Sequence, residues 1–424
     1  MTSFPLAQLG VIIDFSDGST FITTAMTLNS STLGKLDTGQ LADSATRADL
    51  SANVVSCSIR RGRNRILDQF QAGTATVVVN DPTGDLNPMN VSGAYYGKLV
   101  PLRKILIYAK YLGTQYPLFY GYINTYTTNF ATGVNSVSQV TLQCTDGMRL
   151  INNAVISSVP ASAAGDNTST RITQILDLIS WPSSLRSLDT GSSTCQIDPG
   201  TANRSALDAL QVIADKTEFG GLFLSTTGQV KFYSRNNIAL RAAQPQAYFD
   251  DQGSNTDYQS IQLMHDDVMI VNDVRVNRLG GAVQSVSDAT SISTYFTHSG
   301  VRANNLVETD AEALSQAQTL LAARKDATLR ISSLGLNLFD TTLAGVGRNI
   351  TAFSTDIFTP IEVRKTMPGG SVFDEILLVQ GINYDITKKS FVCTLMTAEP
   401  IIKAFVLDHG SLGVLDSTNG LLTY

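Results

Sequence analysis

Between Ser58 and Thr145 apolar and polar residues alternate with a period near two, in runs of strand length that end at Gly, Pro, Asn or Asp. Thr74–Asn80 reads TATVVVN, Ile105–Ala109 reads ILIYA, Leu118–Ile123 reads LFYGYI and Gln139–Cys144 reads QVTLQC. Successive side chains of a strand point to opposite faces, so this pattern buries one face of a sheet and leaves the other for water or a partner. Residues 1–150 are therefore expected to form an antiparallel β-barrel or sandwich.

After Asp146-Gly147, a turn signal, the period lengthens. Ile172, Ile175, Leu176 and Ile179 share one helical face, and a second helix is expected over Ser205 to Lys216 with Leu207, Leu210, Ile213 and Ala214 inward. Gly221 to Ser234 then reads as two short strands about a Gly-containing turn. These elements make residues 151–250 a small α+β module. Gln244 to Thr256, rich in Gln, Asp, Asn, Gly and Pro, is expected to be a linker. Strand signals return at Met269–Val276, Asp326–Ile331, Glu375–Gln380 and Phe391–Met396, interrupted by one helix that opens on a capping box of Thr309 and Glu312. Residues 251–400 thus form a second β-domain with one helix, and 401–424 remain as a C-terminal docking segment.

A chain of 424 residues has room for two to four cores. Only 16% of its residues are charged, against roughly 25% in ordinary soluble domains. A surface of this kind is uncharged polar or is covered by partners. The net charge of −6 argues against tight duplex binding through phosphate neutralisation. An acidic conduit would let DNA pass without holding it. No apolar run approaches the ~20 residues of a membrane span, and Met1 to Pro5 carries no export signal. Cys57, Cys144, Cys195 and Cys393 are far apart, without a C-x-x-C spacing, and are expected to be buried free thiols.

The residues that could carry chemistry do not assemble into a motif. His265, His298 and His409 accompany no G-x-S-x-G elbow, and no zinc spacing occurs. No carboxylate pair lies in a glycosidase motif. Gly345-Val-Gly lacks the third glycine of a dinucleotide fingerprint and reads as a β-turn. Asn80 to Pro88 (NDPTGDLNP) is dense in oxygen ligands but misses calcium-loop spacing, so a turn with Gly84 at positive φ is the expectation. Arg60, Arg61, Arg63 and Arg65 form the densest basic cluster. It either clamps an acidic neighbouring subunit or is a solvated loop. No catalytic residue, metal or cofactor is expected.

Several of these pieces occur together in one order. Ser58 to Pro88 (SIRRGRNRILDQFQAGTATVVVNDPTGDLNP) is followed by Pro101–Ala109 (PLRKILIYA) and Leu118–Thr125 (LFYGYINT). In that order they resemble the opening β-domain of minor tail proteins of long-tailed phages, the tail-tip (baseplate) hub family. Ala206 to Arg235 looks like that family's helix-then-hairpin module, and Arg324 to Leu338 is similar to its later barrel. Ala404 to Asp416 departs from the pattern.

The resemblance implies a fold that is mainly β with a few helices, with two tube-protein-like β-barrel domains flanking the α+β module. It implies a non-enzymatic virion protein of the tail tip that forms a homotrimer, so that three chains present six similar barrels to a six-fold tube. Its partners would be the distal tail protein or tail tube ring, the central tail fibre protein and the tape measure protein, with DNA passing through the lumen. In this reading Arg60, Arg61, Arg63 and Arg65 face a neighbouring subunit. Two rivals stay open: a peripheral receptor-binding protein that stacks Tyr95, Tyr96, Tyr116 and Tyr120 on host glycans, and a cell-wall hydrolase.

Overall fold

The computed structural model describes residues 4–15, 47–66, 68–130, 137–200 and 203–401. The C-terminal docking segment beyond residue 401, with His409, lies outside them.

Alternation does what it predicts. The first β-rich part supplies β1 (Gln8–Asp14), β2 (Arg47–Asp49), β3 (Val54–Gly62), β4 (Gln71–Asp81), β5 (Arg103–Tyr111), β6 (Thr114–Asn129) and β7 (Ser138–Thr145). In β4 every second residue from Gly73 to Asp81 is buried. Val77, Val79, Ile105, Ile107, Val140 and Leu142 go into the same apolar core. The fold is mainly β with a few helices.

The two β-rich parts are not separate sheets. β3 pairs antiparallel with the strand Val372–Thr387, register Gly62 opposite Gly381 to Ser56 opposite Thr387. Through that ladder the strands 260–264, 330–337, 390–398 and 372–387 continue into β3, β4, β7, β6, β5, β1 and β2. Among the described residues the ladder runs from one free end to the other without returning on itself, where two separately closed barrels were expected. Close backbone approach makes the join possible. Gly62 has φ +90°, and a Cβ there would lie 2.3 Å from the Gln380 carbonyl oxygen. Only glycine fits such a position without strain.

The segment expected as a linker is stitched into this sheet. Ala247–Phe249 pairs parallel with Pro360–Thr366, and Asp251 binds Lys365 at 2.6 Å. Polar composition misled here because Asp250 and Asp251 spend their oxygens on backbone N–H groups of a tight turn and of the neighbouring strand.

The α+β module holds α1 (Met148–Asn153), α2 (Thr168–Leu178), α3 (Ala206–Gln211) continued by one π-helical turn (Val212–Thr217), the hairpin Gly221–Leu224 and Val230–Tyr233, and α4 (Arg235–Ala242). Ile172, Ile175, Leu176, Leu210 and Ile213 are buried together with Trp181, Phe223 and Phe232. Phe70, Phe358 and Leu378 of the sheet region belong to the same cluster, so module and sheet share apolar packing.

Residues 251–400 carry three helices, not one: α5 (Ala289–Tyr295), α6 (Asp310–Arg324) and α7 (Leu343–Ser354). The Gly345-Val-Gly stretch read as a β-turn is the first turn of α7, whose N-cap Thr342 accepts from the Gly345 N–H at 3.1 Å. Two glycines at low helix propensity hid a helix that burial of Ala352 and Phe353 holds. The capping residue of α6 is Thr309, as its spacing indicates. α6 packs on a separate three-stranded sheet of Asp273–Arg278, Gln284–Ser287 and Ser299–Asn305 around Val274, Val276, Ala313 and Leu320.

Candidate contact surface and its arginine seam

The four arginines divide between inside and outside. β3 places Ile59 and Arg61 on its buried side and leaves Arg60 exposed, as period two requires. The Arg61 side chain is 4% exposed. Its Nη2 donates to the Leu224 carbonyl of the module hairpin at 2.7 Å and to Asp356 Oδ1 at 2.9 Å. Lys231 of the same hairpin lies 3.7 Å from the other Asp356 oxygen. One carboxylate thus takes a cation from the sheet and one from the module.

Arg63 donates from Nε to Gln380 Oε1 and from Nη1 to the Asp68 carbonyl, both at 2.9 Å, with its guanidinium 4.3 Å from the centre of the Phe70 ring. Burial pulls its pKa down to about 10. Arg65 is exposed. Of the cluster, Arg60 and Arg65 face outward, while Arg61 and Arg63 hydrogen-bond within the chain.

Asp146, at the point where the sheet ends and the module begins, is the second element of this seam. Its two oxygens accept from the Gly73 and Met148 N–H groups at 2.7 and 3.0 Å. Burial pushes its carboxyl up to about 7, against the opposing pull of those hydrogen bonds and of Arg61. Asp215, on the π-helical turn, is pushed up to about 6 by burial, with Arg63 and Arg302 opposing. Glu218 is fully buried and accepts from Thr168 Oγ1 and from the Ser192 and Ser193 N–H groups. Asp146, Asp215, Glu218, Arg302 and Asp356 were not singled out from sequence. Only Asp146-Gly147 gave a signal, and it signalled a turn.

Residues that could have carried catalysis are dispersed. His265 is exposed, and the His298 ring contacts the Tyr295 carbonyl. All four cysteines are buried and free. Burial pushes the thiols up, to about 12 for Cys57, Cys195 and Cys393, away from the thiolate a nucleophile needs. Among the described residues no cluster of His, Cys, Asp or Glu could hold a metal ion. In the Asn80–Pro88 turn, Gly84 has φ +72°. Asp81 accepts from Leu86 N–H, and Asp85 from Ala94 N–H and Thr83 Oγ1, so both carboxylates serve the loop itself.

The four tyrosines do not converge on one face. Tyr95 packs against Phe15 at 4.8 Å between ring centres and Tyr116 against Phe353 at 5.6 Å. Tyr120 lies half-buried beside Gly228. Tyr96 is half exposed. It sits on the loop after β4 near Met89, 82% exposed, and Val91, 71% exposed. This loop is held by its own turn hydrogen bonds.

No protein-family model matches the chain, and no curated protein matches it in sequence. Solved structures do. The tail protein from Neisseria meningitidis MC58 is similar with a TM-score of 0.56 at 12% identity, over 93% of this chain and 97% of that one. The 43 kDa tail protein of prophage MuSo2 from Shewanella oneidensis is similar with a TM-score of 0.53 at 12% identity, over 93% and 99%. At this identity the likeness concerns the fold. It spans nearly the full length of both partners, so this chain shares the overall fold of these two tail proteins.

Proposed function

We propose that this chain is a structural protein of a phage-type tail, placed in the tail-tip hub. The observation that carries the reading is the shared fold over 93% of the chain with two tail proteins. Three copies would form a ring in which each contributes two curved stretches of sheet, one from 1–150 and one from 251–400. Six similar stretches then meet a six-fold tube ring on one side, while a three-fold central fibre seats on the other. Arg60 and Arg65 supply outward cations for a neighbouring subunit. Residues 401–424 dock on another tail component, and the tape measure protein and DNA pass through the lumen without base-specific contacts. The ring acts by assembling and by opening on host contact, with no bond made or broken.

The sparse charge of the sequence suits large permanent interfaces, whose centres are depleted in charged residues. The polar seam joins sheet and module within each copy through Arg61, Asp356 and Lys231. Native mass spectrometry of the purified chain, followed by a low-resolution map of labelled tails, tests the reading. A trimer, and label on the axis at the distal end, is the expected result. A monomer at every concentration together with label on the tail periphery would overturn it.

A further inference from the structure

Where sheet, module and the α6 layer meet, there is a cavity of about 200 Å³. Arg63 enters it from the turn after β3, Asp215, Lys216 and Phe219 from the end of the π-helical turn, and Val301 and Arg302 from the strand Ser299–Asn305. The named hydrogen bonds of the two guanidinium groups all end on neutral oxygens. Arg63 donates to the Gln380 side-chain amide and the Asp68 carbonyl. Arg302 donates from Nη1 to the Asp215 main-chain carbonyl at 2.9 Å. Each guanidinium lies over an aromatic ring, Arg63 over Phe70 at 4.3 Å and Arg302 over Phe219 at 4.0 Å. Stacking fixes the planes and leaves their remaining N–H edges for another acceptor.

The charge around the cavity is incompletely answered. Burial lowers the pKa of both arginines; the Asp215 carboxylate opposes it at both and Asp68, which also lines the cavity, opposes it at Arg63, so three cations there face two carboxylates. The backbone here is also held in uncommon conformations. Asp215 and Lys216 lie on a π-helical turn, and Phe219 has φ +59°. Such turns and such strain concentrate at functional sites. Together these are three cations on three different parts of the chain, fixed guanidinium planes and an open space between them.

We propose that this cavity binds a compact oxyanion, a carboxylate or a phosphate, held by Arg63, Lys216 and Arg302. The planar fork of arginine matches both groups, and charge-assisted bonds to them are stronger than neutral ones. Bound there, the anion ties the sheet, the module and the α6 layer to one another. It is a site for a structural ion, independent of whether the tail-hub reading holds.

The full chain is titrated with inorganic phosphate and with acetate, at constant ionic strength in chloride, by calorimetry and by thermal unfolding. Saturable binding of at least one ion is expected, with an unfolding midpoint that rises with its concentration. Arg302→Gln should weaken that binding about tenfold or more, the loss of a charge-assisted hydrogen bond. Lys216→Met provides the same readout should Arg302→Gln fail to fold. Arg60→Gln, outside the cavity, should leave the affinity unchanged. Phosphate binding without acetate binding assigns the site to phosphate, and the reverse to carboxylates. No saturable binding of either ion, or equal binding by wild type and the cavity variants, overturns the proposal.

Discussion

The main sheet and the seam beneath it are held by opposite means. In the sheet, β3, β4 and β7 bury Ile59, Val77 and Leu142 with none of their surface exposed, and the alternation that does so is local. In the seam, Arg61 meets Leu224 and Asp356, 163 and 295 residues away in sequence. Apolar burial is non-directional and tolerates small shifts. A buried cation requires its partners in place, because an uncompensated charge in the interior costs far more than the pair contributes. The sheet therefore supplies stability, and the seam adds direction to a join that Phe70, Phe358 and Leu378 also hold by apolar packing.

Removing the Arg61 side chain is the most severe way to break that contrast. Arg61→Ala removes the sheet-side cation from Asp356, leaving it Lys231 and the Ile357 N–H, and takes the guanidinium from the Leu224 carbonyl; it should cost about 3 kcal/mol, the lower end for a broken buried pair, since Asp356 is 23% exposed. Urea unfolding monitored by Trp181 fluorescence reads this directly, because Trp181 is buried in the module core. Adding Asp356→Ala should recover part of the loss, as the leftover carboxylate is then gone. A loss within experimental error would mean that the seam does not hold the module.

The join between the two β-rich parts comes next. Gly62→Ala puts a Cβ against the Gln380 carbonyl at a backbone conformation that L residues avoid. About 1–3 kcal/mol of strain is expected, visible as a lowered thermal midpoint. Gly97→Ala also changes a positive-φ glycine but meets nothing within 4 Å, so it should show the smaller, purely conformational cost. Equal effects at both would separate the β3 join from any special role.

pH sharpens the comparison further, since the sheet core is apolar and the seam titrates. The Asp146 carboxyl has a folded value of about 7, raised from 3.8. The folded state therefore binds its proton more tightly than the unfolded chain. Its contribution to stability is present below pH ~4 and is lost as pH rises through about 7. Asp215, at about 6, acts in the same direction. Thermal midpoints measured from pH 5 to pH 8 should fall across this window, and the fall should be shallower in Asp146→Asn. That variant is itself less stable, because an amide offers only one acceptor to the two N–H groups that Asp146 receives.

What could be read from sequence follows the same division. β4, β5, β6 and β7, the inner faces of α2 and α3 and the Thr309 cap of α6 were legible because each depends on neighbours a few residues away. The pairing of β3 with Val372–Thr387 was not, for nothing local in either strand names its partner. α7 was hidden by two glycines, and Ala247–Phe249 by polar flanks. Arg61 and Arg63 were visible as cations, but Leu224 on the module hairpin, Asp356 after α7 and Gln380 on the strand Val372–Thr387 are acceptors that only the folded chain brings near.

The smallest expected effect on stability carries the largest consequence for assembly. Arg60 is exposed on β3 and Arg65 is exposed on the turn after it. Replacing either with Ala should change unfolding free energy by no more than about 0.5 kcal/mol, as for surface residues away from special features. If they contact a neighbouring copy, the double variant Arg60→Ala/Arg65→Ala should fold normally and yet shift the oligomer towards monomer, an effect that added salt would reproduce in wild type. Sedimentation at two ionic strengths distinguishes the outcomes. An unchanged oligomer in the double variant would assign both arginines to solvent.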